Sequence, residues 1–329
     1  GIRPDSYFLI NDGKGNFKDA TDSRAPALRK FGFVRDAVWV DMNGDGKNDL
    51  VIAAEWSPIT ILLSKNGKLE PMKLENSGLE KSHGWWNTIL PFDFDRDGDM
   101  DLMAGNLGLN ARLRASENQP VKMFVSDFDG NDSTDQVLTH YINGKEYPFH
   151  TRDEMTRQMP YLKKRYLSYH RFAAATLQDM FSEDALAASE QYAAYTFASA
   201  YIENLGDGKF RIQPLPLAAQ FSTVNALWID DFDGDHHEDI LVAGNFYSPN
   251  IQMGRYDASS GLLLKGDGRG GFKSVPPVHS GFRVRGEVRS LKRISAGGRQ
   301  YYIAIRNNDT IVSFGPMYDQ PRVVANRNR

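Results

Sequence analysis

The stretch Asp93-Phe94-Asp95-Arg96-Asp97-Gly98-Asp99-Met100-Asp101 sets carboxylates at positions 1, 3, 5 and 9 of an Asp-rich loop. They converge only if the chain curls tightly, and like charges held that close repel unless a cation lies between them. Oxygen ligands at this spacing, with Gly98 at the sharp turn, suit Ca²⁺, and position 7 normally offers its backbone carbonyl. The loop recurs three times. Its copies run Asp41-Met42-Asn43-Gly44-Asp45-Gly46-Lys47-Asn48-Asp49, Asp127-Phe128-Asp129-Gly130-Asn131-Asp132-Ser133-Thr134-Asp135 and Asp231-Phe232-Asp233-Gly234-Asp235-His236-His237-Glu238-Asp239.

The metal ligands expected from this spacing are Asp41, Asn43, Asp45, Lys47 and Asp49 in the first loop, and Asp93, Asp95, Asp97, Asp99 and Asp101 in the second. The third contributes Asp127, Asp129, Asn131, Ser133 and Asp135, and the fourth Asp231, Asp233, Asp235, His237 and Asp239. Lys47, Ser133 and His237 stand at position 7, where the carbonyl rather than the side chain is the ligand. The expectation is up to four Ca²⁺. Position 6 is Asp132 and His236 in the last two loops, where glycine is usual. Both types tolerate left-handed backbone better than most, at a cost of about 1 kcal/mol.

These loops are not EF-hands, which need a glutamate at position 12 and a helix on each side. Position 12 is Ile52, Ala104, Leu138 and Val242. The flanks are short apolar runs, such as Val38-Trp39-Val40 before the first loop and Leu50-Val51-Ile52 after it, and these read as strands. A strand-turn-strand unit with a Gly-rich turn appears at residues 7–21, 61–69, 201–210 and 262–272. The repeat is therefore strand, Asp loop, strand and closing hairpin. Four short antiparallel strands per repeat is the content of a β-propeller blade.

The predicted fold is all-β: a single propeller domain over residues 1–329, with about five to seven four-stranded antiparallel blades and a helical insertion at 151–200. The insertion is read from a capping box at Thr151-Arg152-Asp153-Glu154 and helical spacing of Leu162, Tyr166, Tyr169 and Phe172. Pro160 breaks its first helix. An Ala-rich helix capped near Ser182 is expected through Ala185, Ala188 and Tyr192. This reading puts the insertion in the third blade, ahead of a closing hairpin at 201–210. After residue 285 three strands follow without an Asp loop.

The 329 residues carry a net charge of −3 and no cysteine. No general affinity for nucleic acid is indicated, and disulfides play no part. No apolar run of ~18 residues is present to span a membrane. The opening Gly1-Ile2-Arg3-Pro4 leads at once into strand-like sequence, which reads as a piece of a longer polypeptide.

The Asp loops and hairpins resemble FG-GAP or VCBS repeats, as in the β-propeller of integrin α-chains. Asn11-Asp12-Gly13-Lys14-Gly15-Asn16-Phe17, the Asp41 loop, Trp85-Trp86 and Ala104-Gly105-Asn106-Leu107-Gly108-Leu109-Asn110 look like the cartilage-acidic-protein (ASPIC/UnbV-associated) branch of bacterial surface proteins. The resemblance implies a calcium-bearing propeller and extends over most of the chain outside the insertion. It leaves the ligand open, because such repeats occur in adhesins, in surface proteins and in some polysaccharide lyases.

Two functions follow as expectations. One is an extracytoplasmic calcium-stabilised propeller that binds a protein or a glycan, or other domains of the same polypeptide. The other is a polysaccharide lyase with calcium at a uronate. A lyase needs a Lys, His, Tyr or Arg base beside an open calcium position, and no such constellation, G-x-S-x-G, H-E-x-x-H or P-loop stands in the sequence. His236 and His237 read as solvated loop residues, and His140, His150 and His170 fit no nucleophile or zinc pattern. Trp39 and Trp228 read as core, one of Trp85 and Trp86 as core, and Trp56 as a rim residue. The insertion, with Tyr161, Lys163, Lys164, Arg165, Tyr166, Tyr169, His170 and Arg171, is the expected partner-binding element.

Overall fold

The computed structural model describes residues 3–315; Gly1 and Ile2 and residues 316–329, the two ends of the expected 1–329 domain, lie outside the described residues. A hairpin of β1 (Leu9–Asn11) and β2 (Phe17–Asp19) is followed by a short helix, α1 (Thr21–Arg24). The first sheet is a meander of β3 (Phe33–Val40), β4 (Asp49–Ser57), β5 (Thr60–Lys65) and β6 (Lys68–Pro71), with β7 (Gly84–Trp85) added at the end of β4. The second opens with β8 (Thr88–Phe92) and β9 (Asp101–Gly105).

The chain then leaves that sheet. It builds β10 (Val121–Ser126), β11 (Asp135–Ile142) and β12 (Lys145–Pro148), and five short helices, α2 (Arg152–Gln158), α3 (Leu162–Arg165), α4 (Tyr169–Ala174), α5 (Leu177–Met180) and α6 (Glu183–Ala188). Strand β13 (Glu190–Ala194) returns to pair with β10. Only afterwards do β14 (Ala200–Asn204) and β15 (Phe210–Pro214) complete the second sheet, in the order β15-β14-β9-β8. A further meander holds β16 (Val224–Asp230), β17 (Asp239–Gly244), β18 (Leu262–Gly266) and β19 (Phe272–Val275). After α7 (Pro277–Ser280) come β20 (Val288–Ala296), β21 (Arg299–Arg306) and β22 (Val312–Phe314).

This topology corrects one expectation. The hairpin at 201–210 does not close the Asp127 repeat; it closes the Asp93 repeat, because Tyr201 and Ile202 of β14 register with Met103 and Leu102 of β9. The Asp127 sheet and its helices are therefore nested whole between the second and third strands of the Asp93 sheet. The ends of the excursion meet where the Asn106 amide donates to Ser199 Oγ at 3.0 Å.

The other sheets stand side by side as propeller blades, with β8 beside β3, β16 beside β8 and β20 beside β16. The second strands β4, β9 and β17 are buried on both faces, which explains why they read as continuous apolar runs, whereas β21 of the last sheet is largely exposed. With side chains alternating at period 2, Val51 and Ala53 of β4 meet Leu102 and Ala104 of β9 in one core. Met103, pointing the other way, packs with Ile240 and Val242 of β17. Leu241 and Ala243 then face Val288, Leu291 and Tyr302. Each of β4, β9 and β17 thus lends alternate residues to two cores.

The nested sheet has its own core. Phe124 and Val137 are covered by Met155, Met159, Leu162, Leu177 and Phe181 from the helices. Thr151 forms the expected capping box and Ser182 caps α6. The Ala-rich helix stops at Ala188, however, and Tyr192 lies on β13. The run from Leu162 to Phe172 is divided between α3 and α4. Among the described residues no helix is long and apolar enough to cross a membrane.

The tryptophans divide. Trp86 is fully buried, with Nε1 donating to Ser82 O at 2.7 Å. Trp85 is half-buried and packs edge-on against Trp56 at 5.1 Å. Trp56, expected on the rim, lies with Tyr192 against the nested sheet. Trp228 is half-buried. Trp39 is 52% exposed rather than core, because β3 ends the row of adjoining blades among the described residues; the Phe8 ring leans edge-on against it.

Candidate metal centres

Each Asp loop joins the first strand of its sheet to the second, and backbone conformation winds it. Positions 4 and 6 are left-handed in all four: Gly44 and Gly46, Arg96 and Gly98, Gly130 and Asp132, Gly234 and His236. The non-glycine residues adopt φ of 64° (Arg96), 63° (Asp132) and 66° (His236). The departures from glycine at position 6 therefore leave the loop path intact.

Two hydrogen bonds recur at every copy. The position-1 carboxylate accepts from the position-6 amide: Gly46 to Asp41 at 2.7 Å, Gly98 to Asp93 at 3.1 Å, Asp132 to Asp127 at 2.8 Å and His236 to Asp231 at 3.0 Å. The position-9 carboxylate accepts from the position-2 amide: Met42 to Asp49, Phe94 to Asp101, Phe128 to Asp135 and Phe232 to Asp239. In the three sheets of the row that carry loops, its other oxygen also takes an amide from the third strand, from Ser64, Asn204 or Gly266. Position 9 is thus a latch between loop and sheet, and all four of these aspartates are buried.

In three loops the carboxylates at positions 1, 3 and 9 converge. Asp93, Asp95 and Asp101 each place an oxygen within 4.8 Å of the others, as do Asp127, Asp129 and Asp135, and Asp231, Asp233 and Asp239. Position 5 does not join these groups. Asp97 Oδ1 instead accepts from the Asp99 amide at 2.9 Å, and Asn131 Oδ1 from Ser133 at 2.8 Å. In the first loop position 3 is Asn43, whose Oδ1 accepts from Asp45, and Asp45 pairs with Lys47 at 3.5 Å. Asp41, Asp45 and Asp49 form no such carboxylate cluster among the described residues.

The clusters fit a divalent cation. Asp93 Oδ1 and Asp129 Oδ1 are buried with no hydrogen-bond partner, a costly state for a carboxylate oxygen unless something positive meets it. Burial pushes Asp101 up to about 6 and Asp239 up to about 6, and it raises Asp95 and Asp135 as well. The donors are all oxygen, the set that suits Ca²⁺ rather than a softer ion. Asp93, Asp95 and Asp101, and in parallel Asp127, Asp129 and Asp135, would hold it.

The fourth loop has a cation of its own. Lys265 Nζ, from β18, bonds Asp233 Oδ2 and lies 2.9 Å from Asp235 Oδ2. These partners hold the lysine's pKa above its ordinary value, and the Lys265 bond holds Asp235 below the usual carboxylate range. The loop motif alone does not disclose this competitor, which lies on another strand. His236 is solvated as expected, its side chain 94% exposed. His237 is not: its Nδ1 is buried without a partner.

The insertion's aromatic and basic set is divided between surface and framework. Tyr161 and Tyr169 are exposed, but Tyr166 is buried. Arg165 donates to the carbonyls of Asp179 and Met180.

Residues 41–104, covering the first two Asp loops and the strands between them, match a family model described as an FG-GAP-like repeat. No curated protein matches the chain.

Proposed function

We propose that this chain is a calcium-stabilised β-propeller recognition module that binds a protein or glycan outside the cytoplasm. The observation that carries the reading is the convergence of Asp93, Asp95 and Asp101 around a buried, partnerless Asp93 oxygen. Calcium there is structural, because the same Asp101 that closes the cluster also ties the loop to β14. The FG-GAP-like match over 41–104 supports the propeller and its metal loops. Modules with modest calcium affinity fill where the ion is near millimolar, which favours an extracytoplasmic site of action.

The lyase reading has less support. Two candidate bases stand beside carboxylate clusters: Lys265, which two carboxylates hold as an ammonium, and Tyr201, whose hydroxyl donates to Asp101 and whose pKa burial raises, the opposite of what a general base requires.

Asp95→Ala tests the reading. It should lower the melting temperature in calcium and matter little in excess chelator. Equal losses in both conditions would show that Asp95 acts through something other than metal. Protein and glycan arrays probed with the calcium-loaded chain then look for the partner class.

A further inference from the structure

At the ends of the blades opposite the Asp loops, the starts of the first strands converge on a recess of about 80 Å³. A repeated device lines it. The pairing of β3 with β4 skips Arg35 between Val34 and Asp36. The pairing of β16 with β17 skips Asn225 between Val224 and Ala226, and that of β20 with β21 skips Arg289 between Val288 and Ser290. A bulge re-aims a side chain out of the sheet's alternation. All three bulged residues line the recess, as does Asn87 at the start of the second sheet. Four blades thus each contribute one polar residue to the lining, Asn87 and Asn225 while donating to the carbonyls of Trp85 and Asn245.

A second observation points to a ligand. Trp85 Nε1, Thr223 Oγ1 and Tyr256 OH belong to residues lining this recess, and all three atoms are buried with no hydrogen-bond partner. Thr223 and Tyr256 are each 5% exposed. Buried polar groups are rarely left unpaired without reason.

A third is a departure from the repeat. The residue that follows the inner part of the second strand is Asn106 in one blade and Asn245 in another. Each is spent as a staple: Asn106 accepts from Trp85 and Leu107, and Asn245 donates to Ser259 O and Gly286 O. In the first blade Glu55 takes this place and lines the recess, its carboxylate 3.5 Å from Arg35 Nε.

The charges balance. Glu55 offsets Arg35, and Arg289 is held at 2.7 Å by the buried Glu287. A ligand here needs no net charge. It needs hydroxyls that can both accept from Trp85 and donate to Glu55, and C–H surface for the apolar wall of Leu107, Phe246 and Met253. The recess is small, enough for one edge of a ring and not for a chain. Arg35 and Arg289 are 42% and 39% exposed, so the recess reaches solvent past them.

We propose that this recess binds the hydroxyl-bearing edge of a neutral sugar, the terminal residue of a glycan. The inference rests on the recognition-module reading and names its ligand class and site. The test uses the full chain in calcium, titrated with free glucose, galactose, mannose, N-acetylglucosamine and glucuronate, and read by saturation-transfer NMR. Thr223→Val and Tyr256→Phe are compared with the wild type. Each removes a hydroxyl that has no protein partner, so melting in calcium should be unchanged or slightly raised.

At least one neutral sugar should bind the wild type saturably, and each variant should weaken it by about tenfold. The inference is overturned if no neutral sugar binds while calcium still stabilises the fold, which would leave the recess to water. It is also overturned if binding survives intact in both variants, or if glucuronate binds better than the neutral sugars. Loss of the calcium effect with sugar binding retained would instead remove the calcium reading and leave this one standing.

Discussion

Arg96, at position 4 of the second Asp loop, donates through Nη2 to the carbonyl of His236, at position 6 of the fourth loop, and lies 3.3 Å from Glu238 Oε2. Two loops more than a hundred residues apart in sequence are thus joined on adjacent blades. Arg96 reaches across because its own φ is 64°, a conformation the loop imposes at position 4. Filling one loop should therefore stiffen the other. Arg96→Ala should reduce calcium-induced stabilisation by about 1 kcal/mol or less, since the pair is partly exposed. It should leave melting in chelator nearly unchanged. Parallel thermal melts of both forms check this; a loss that is the same with and without calcium would mean that the link does not depend on the metal.

The pH dependence has a definite sign. Asp101 and Asp239 are each raised by burial from 3.8 to about 6 in the folded chain. Without metal the fold retains these protons longer than the unfolded chain. That contribution is fully present below the unfolded value and is lost as pH rises through about 6. Calcium needs the ionised carboxylates and removes the penalty of leaving them charged. The calcium-induced rise in melting temperature should therefore be small near pH 4 and larger near pH 7. A rise independent of pH would exclude these two residues as ligands.

Lys265 should compete with a metal ion at the fourth loop. A bound Ca²⁺ at Asp231, Asp233 and Asp239 has to displace an ammonium already paired with Asp233 and Asp235. Lys265→Met keeps most of the side chain's length and removes its charge. Calcium titration by calorimetry should then show stronger binding at that loop, and with it a higher stoichiometry at subsaturating calcium. An unchanged isotherm would show that the lysine moves aside freely.

Excising the nested sheet tests whether the blades stand without it. The ends of the excursion meet at Asn106 and Ser199, and β9 pairs with β14 directly. Replacing residues 107–198 with a short Gly-Ser linker should leave a folded β protein by circular dichroism, with the calcium effect of the Asp93 loop retained. The exposed Trp56 and Trp85 faces will lower its solubility. Loss of cooperative melting would show that the nested sheet is required by the blades.

Much of this was set by local sequence. The Asp loops, their left-handed turns and the short strands on each side follow from spacing, glycine placement and apolar run length, all properties of a few consecutive residues. The caps at Thr151 and Ser182 are local in the same way. Tertiary structure decided what those residues meet. The 201–210 hairpin resembles every other closing hairpin, and only its pairing with β9 assigns it to the Asp93 blade, because register between strands depends on partners far along the chain. Trp39 has the flanks of a core strand residue, yet the absence of a described neighbour beyond β3 leaves it exposed. Lys265 and Arg96 look like ordinary surface cations until the fold sets one inside a carboxylate cluster and the other across two loops. The recess lined by Arg35, Asn87, Asn225 and Arg289 is the clearest case: each is unremarkable in its own repeat, and the site exists only where four strand starts come together.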